Sequence, residues 1–301
     1  MDVKHNPIVT NSELREIRTK EPGMSAAAIK NRLFQLVVLV WFGIFAVVII
    51  YPIIWLGLSG LKSNSDFFLN TWGLPKEWVW SNYKEAWDAG IGQYFFNSVI
   101  VTVSSVLAVL LLGSMAAFGL SRFRFKGQNF MLVIILSGLM LAPQVSLIPL
   151  YKILQAIGLY NTYGALIVPY VAFQLPFSIF LMRSYFLSIP AELEESAILD
   201  GCNSWKVYRH IILPMGKPII ASCAMLTAMN VWNEFMFALV FVEDSSLRTI
   251  PVGLMNLRSQ LNTNFGIQLA GLAIAVLPMI FIFLIFQKQF VRGLSAGSVK
   301  G

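Results

Sequence analysis

Six apolar runs, each 21 to 26 residues long, occupy most of this chain: 33–58, 95–120, 130–150, 163–187, 219–242 and 265–286. About 20 apolar residues in a row are enough to cross the hydrocarbon core of a bilayer. With no water there to bond to, the backbone must satisfy its own N–H and C=O groups, and a helix does so within one segment. Only 12% of the residues are charged, against about 25% in soluble domains. The expected fold is an all-α membrane protein of six transmembrane helices.

The third and fourth runs carry internal prolines, Pro143 and Pro149, then Pro169 and Pro176. A proline inside a span frees carbonyls that neighbouring helices must satisfy, so a packed bundle lining a pathway is expected. Basic residues set the orientation. With the N-terminus in the cytoplasm, segments 1–32, 121–129, 183–217 and 287–301 hold sixteen Lys and Arg. The opposite segments hold six: Lys62, Lys76, Lys84, Lys152, Arg248 and Arg258. Both termini are thus expected in the cytoplasm. The domains expected are an extension over 1–32, a six-span body over 33–290 and a tail over 291–301. The first run follows a polar head and is too long for the core of a cleavable signal.

On the outer side, segment 61–94 holds Trp72, Trp78, Trp80 and Trp87, and 243–264 forms a second exposed segment. Two readings stand open: aromatic anchoring at the membrane interface, or a surface that receives a binding protein outside the cell.

Between the fourth and fifth runs lies a polar island, 188–217. Pro190 suits a first helical turn, where its missing N–H costs nothing. Glu192, Glu194 and Glu195 crowd the positive end of that helix. Gly201 can adopt the left-handed conformation that ends it, and Asn203 or Ser204 can cap a second helix. In that second helix Trp205, Tyr208 and Ile212 should share a face and Pro214 should stop it. The island is expected as two short helices with a sharp bend, on the cytoplasmic side.

Glu195, Ser196, Ala197, Asp200, Gly201, Ile211, Leu213 and Pro214 fall in a register that resembles the "EAA" signature of ABC importer membrane subunits. Ser196 and Cys202 replace usual alanines, both small changes. Further stretches look like the carbohydrate branch, of the maltose-permease type: Asn97-Ser98, Ala142-Pro143, Ile148 to Tyr151, Gly158-Leu159, Asn161-Thr162, Trp232 to Phe235, and the end from Gly293 to Gly301. The likeness runs from about residue 33 to the last residue. It implies the type I ABC importer permease fold in a bacterial or archaeal cell membrane. It implies that the eight island residues form a handle for a separate ATPase dimer, with Gly297, Lys300 and Gly301 of the tail reaching the same partner. A second homologous permease subunit and a solute-binding protein are the other partners implied. The cargo implied is a sugar or oligosaccharide, moved by alternating access.

One ionisable group lies deep in an apolar run. A charge at mid-bilayer costs roughly 3 kcal/mol or more, so Glu234 should face the bundle interior or water. Asn230 and Asn233 lie beside it. These polar groups are either a hydrogen-bonded packing cluster or part of a path for a polyhydroxylated solute, with Trp232 or Phe237 offering a ring face. Gln144 and Gln174 are weaker candidates of the same kind.

No Gly-x-x-x-x-Gly-Lys-Ser/Thr phosphate loop occurs, so ATP and Mg are expected to be used by the partner and no cofactor by this chain. His5 and His210 are too few and too far apart for a metal site, no Ser-His-Asp set is suggested, and no basic stripe suggests nucleic acid. Cys202 and Cys223 suggest no disulfide. Two other classes remain: an ion-coupled secondary transporter using Glu234 as relay, for which neither inverted repeats nor further intramembrane charges are seen, and a membrane-embedded enzyme, for which one Glu and two Asn are thin support.

Overall fold

The computed structural model describes residues 26–260 and 264–298, and all regular structure among them is helical. Residues up to Trp55 form one unit and those from Leu56 onward another. The described residues of the first unit all lie in α1 (Ala26–Ser59), a single helix that runs on into the second unit. Its side chains from Leu33 to Ile54 are exposed, Val38 excepted, as suits a helix bathed in lipid.

The second unit carries α2 (Asn64–Leu69), α3 (Ser81–Ala86), α4 (Gly92–Arg122), α5 (Gln128–Ser137), α6 (Leu147–Ala156) and α7 (Gly164–Leu187). It continues with α8 (Glu192–Leu199), α9 (Ser204–Val207), α10 (Lys217–Trp232), α11 (Met236–Phe241), α12 (Ile250–Gln260) and α13 (Phe265–Ser298).

Four of the helical stretches are long and apolar enough to cross a membrane: Asn31–Ser59, Ser81–Arg122, Gly164–Leu187 and Phe265–Lys288. The other two expected spans are not straight helices. The third bends by 92° between Gln128–Met140 and Pro143–Ala156. Pro143 disfavours helix at the residue before it, and Ala142 is extended there (φ −69°, ψ 126°). The fifth ends early, at Trp232, and resumes at Met236. The fourth remains one helix despite Pro169 and Pro176.

Within the second unit α4 and α7 pack most extensively, with α10 against α13 and α4. Lipid is as apolar as leucine, so such contacts stabilise through close packing more than through water exclusion. One cluster gathers Val101, Leu154, Tyr170, Phe237 and Phe241. A second, nearer the island, gathers Phe118, Met182, Phe186, Tyr208 and Ile212.

The span ends away from the island are tied together by side chains. Asn97 at the start of the second span donates to Ser246 O (2.8 Å) and Arg248 O (2.9 Å) and accepts from Tyr163 Oη (2.7 Å). Ser98 accepts from the Ile250 N–H. Asn161, left-handed at φ 58°, accepts from the N–H groups of Glu243 and Asp244. Segment 61–94 is more ordered than a loop. Lys62, fully buried, donates to Asn70 O (2.6 Å) and Thr71 O (3.1 Å) at the end of α2. A cation at a helix C-terminus is favoured by the macrodipole.

Candidate functional site

The island folds as an elbow. Three glutamates occupy the first turn of α8, with Pro190 just ahead of its cap, Ala191. The helix ends where Gly201 takes φ +82°; its N–H bonds to Ile198 O and that of Cys202 to Ala197 O. These bonds satisfy carbonyls that a helix end leaves free. Asn203 Oδ1 then accepts from the Lys206 N–H (2.9 Å) and caps α9.

Pro214 does not stop this second helix, contrary to the sequence expectation. A π-turn, Tyr208–Ile212, precedes it, and Pro214 sits in the first turn of Leu213–Met215. The chain turns instead at Gly216, where Ser204–Met215 and Lys217–Trp232 meet at 74°. A Cβ there would lie 2.7 Å from a Phe186 ring carbon and 2.9 Å from Ile212 O. Trp205 shares a face with Tyr208, their ring centroids 5.3 Å apart, but Tyr208 and Ile212 are buried whereas Trp205 is exposed at their rim.

The elbow has two unlike faces. Its inner face (Ala197, Val207, Tyr208 and Ile212) packs on Phe118, Met182 and Phe186 of the second and fourth spans, with Ile211 and Leu213 at the margin. Tyr208 Oη and Ser114 Oγ share a hydrogen bond of 2.7 Å. Arg122 donates through Nη2 to Phe186 O (2.9 Å) and Ile189 O (3.1 Å). Its Nε lies 2.5 Å from Glu194 Oε1, yet the N–H is not aimed at that oxygen, so the contact is Coulombic and not a directed bond. Burial raises the Glu194 carboxyl above the usual range, and Arg122 only partly offsets this. The outer face presents Glu195, Ser196, Asp200 and Pro214, all exposed, beside Ile198 at 61% and Leu199 at 88% exposure.

The break in the fifth span centres on Glu234. Its Oε1 accepts from the Phe237 N–H (2.9 Å) and its Oε2 from the Ala238 N–H (3.3 Å), so it caps α11. The same Oε2 accepts from Tyr170 Oη at 2.5 Å. The carboxylate is thereby spent on holding two spans together. Asn230 and Asn233 are exposed; Asn230 donates to Gln174 Oε1 (3.2 Å) and Asn233 to Met229 O (2.8 Å). Trp232 and Phe237, by contrast, are only 5% and 3% exposed. Trp232 donates to Ala275 O and packs on Phe95, and Phe237 packs on Tyr170 and Phe241, so neither presents a free ring face. Gln144 lies at the bend of the third span, exposed.

The model of the binding-protein-dependent transport system inner membrane component matches residues 109–296, more than half of the chain. The chain belongs to that family. Within it, this permease is similar to the probable ABC transporter permease YurM of Bacillus subtilis, 53% identical over 86% of each chain. It is also similar to the diacetylchitobiose uptake permease NgcG of Streptomyces coelicolor, 34% identical over 91% of this chain and 92% of that one. A crystal structure of a bacterial ABC transporter that imports the acidic polysaccharide alginate contains a chain with TM-score 0.75 and 26% identity, covering 87% of this permease and 98% of that chain.

As a multi-pass membrane permease component, the chain carries no group of three or more metal-ligating side chains among its described residues. The last helix runs through Gly297 to Ser298, past the expected boundary at 290. Lys300 and Gly301 lie outside the described residues, as do 1–25 of the extension. Sequence reading missed Tyr170 and Arg122, which hold Glu234 and the elbow, because each bond spans about sixty residues or more and leaves no local signal.

Proposed function

We propose that this chain is one permease subunit of an ATP-driven importer of an oligosaccharide, docked through its elbow on a separate ATPase dimer. The observation that carries the reading is the elbow's two-faced build. A rigid unit bonded to the second and fourth spans, with two large apolar side chains projecting into the aqueous phase, is suited to transmit force from a partner. Exposed apolar groups of that size outside the membrane mark an interaction surface. ATP-driven closure of the partner would then shift the bundle between inward- and outward-open populations. Both termini lie in the cytoplasm, as the basic residues indicate. A second homologous permease completes the pathway, and segments 61–94 and 243–264 meet a solute-binding protein outside.

The amide groups of Gln174, Asn230 and Asn233 offer donors and acceptors without net charge, which suits hydroxyl-rich solutes. The sugar chemistry in the names of the relatives supports the same substrate class. A proton relay through Glu234 is less well supported, because that carboxylate already accepts three hydrogen bonds.

The test is Leu199→Cys in the reconstituted importer, with an engineered cysteine on the ATPase. Crosslinking that depends on nucleotide, with oligosaccharide-stimulated ATP hydrolysis, is expected. Labelling of the introduced thiol by an impermeant reagent from outside intact cells would overturn the orientation. Uptake that collapses with an uncoupler while cellular ATP is held constant would overturn the ATP-driven reading.

A further inference from the structure

An apolar groove of ≈ 270 Å³ lies beside the elbow, between the end of the second span and α9, lined chiefly by Met115, Phe118, Phe123, Trp205 and Tyr208. Met115, Phe123 and Trp205 are exposed. Met115 is seven residues before Arg122, the last residue of α4, so the groove reaches from roughly 10 Å inside that helix end to Phe123 just past it. Four cations stand next to its lining in the chain: Arg124 and Lys126 after Phe123, and Lys206 and Arg209 after Trp205 and Tyr208. All four are exposed, and none forms an ion pair among the described residues, where Arg122–Glu194 is the ion pair found. Phe123 and Phe125 alternate with Arg122, Arg124 and Lys126, so apolar rings and cations stand close together at this end of the span.

We propose that this groove is a site for an acidic phospholipid, its acyl chain against Phe118, Phe123 and Trp205 and its phosphate among the four cations. The groove joins an apolar wall to cations that follow its lining residues in the chain, and a phospholipid joins acyl chains to a charged head in the same way. A zwitterionic lipid fits the wall but gains little from the cations, so preference for net negative charge is the mark of the site. The occupant would brace the elbow against the second span along the groove. The proposal does not depend on the transported solute.

The test uses the full-length protein, purified with any subunits that accompany it, and native mass spectrometry. The probes are phosphatidylglycerol, phosphatidylcholine with identical chains, and glycerol 3-phosphate as a headgroup without chains. Phosphatidylglycerol is expected to bind at least about tenfold more tightly than phosphatidylcholine, and each of Arg124→Gln and Lys126→Gln to weaken it about fivefold while leaving phosphatidylcholine unchanged. Gly119→Phe fills the groove, since a Cβ at Gly119 meets nothing within 4 Å, and should abolish the preference with the fold intact. Equal affinity for the two lipids would overturn the proposal, leaving annular lipid only. Competition by glycerol 3-phosphate at the lipid's own concentration would replace it by a simple phosphate site. Loss of a subunit from the Gly119→Phe protein would show that a protein fills the groove instead. Failure of ATP-driven uptake with lipid preference preserved would strike the function proposed above and leave this site standing.

Discussion

The elbow and the break in the fifth span both end one helix and start another, and they do it by opposite means. At the elbow's own turn the bonds are local: Gly201 supplies the left-handed conformation, Asn203 caps the next helix, and no partner within the turn lies more than five residues away, the long-range bonds of Arg122 and Tyr208 only seating it on the spans. At the break there is neither glycine nor proline across Asn233 to Phe235, and the turn is held by the Glu234 carboxylate, with Tyr170 sixty-four positions away. The difference follows from the solvent. A chain that turns in water can leave a group to be hydrated, whereas one that turns among membrane spans must have each freed group met by protein.

The largest expected effect lies at the break, because it has no substitute solvent. Glu234→Leu strands the Tyr170 hydroxyl and the N–H groups of Phe237 and Ala238, each at about 1 kcal/mol or more, so a loss of roughly 3 kcal/mol is expected. Glu234→Gln keeps an acceptor oxygen and should cost about 1 kcal/mol. Tyr170→Phe removes one hydrogen bond to a charged group, worth about 1.5–3 kcal/mol. Thermal unfolding in detergent checks the order Leu worst, then Phe at 170, then Gln. Equal melting of Glu234→Leu and wild type would show that the break holds itself by local geometry, as the elbow does. A change of oligosaccharide affinity in Glu234→Gln without loss of stability would move the carboxylate into the solute path.

Next in size is Gly201. Its φ of +82° leaves open space for a Cβ, so the penalty for substitution is purely conformational. Gly201→Val should cost roughly 1–3 kcal/mol of local strain, while Gly201→Asn, tolerant of the left-handed region, should cost a fraction of that. Hydrogen exchange over 196–207 reads the strain directly, and uptake should fall in the Val variant with insertion unchanged. Identical exchange in the Val and Asn variants would mean that distant contacts, not Gly201, define the bend.

The same contrast explains what could be read in advance. Six apolar runs and an acidic, glycine-ended island are local patterns, and the helical bundle and the elbow were legible from them. Pro143 announced a weakness in the third span, though a bend of 92° needed the structure. Pro214 misled, because a π-turn ahead of it removed the clash that would have stopped the helix. The end of the fifth span at Trp232 was hidden, since Trp232 to Phe235 reads as one more apolar turn interrupted by a charge. The sugar-facing roles given to Trp232 and Phe237 rested on residue type alone. Packing took both rings, while the amides at 230 and 233 remained exposed and that at 174 half-buried.

The smallest effect tests whether the elbow needs its one ion pair. Glu194 lies 2.5 Å from Arg122 without a directed hydrogen bond, and burial raises its carboxyl pKa more than Arg122 lowers it. A carboxyl whose folded-state pKa exceeds its unfolded value favours the folded state below the unfolded value, near about 4.3, and loses that advantage as pH rises through the folded one. Acidification from neutral pH toward that value should therefore tighten the elbow's seat on the spans, the reverse of what a dominant salt bridge would give. Glu194→Gln, neutral at every pH, should melt slightly higher than wild type at pH 7, and the gap should close as pH falls. Were Glu194→Gln instead the less stable protein at pH 7, with the gap shrinking on acidification, Coulomb attraction to Arg122 would outweigh desolvation. Charge, and not only the hydrogen bonds of Arg122 and Tyr208, would then seat the elbow on the spans.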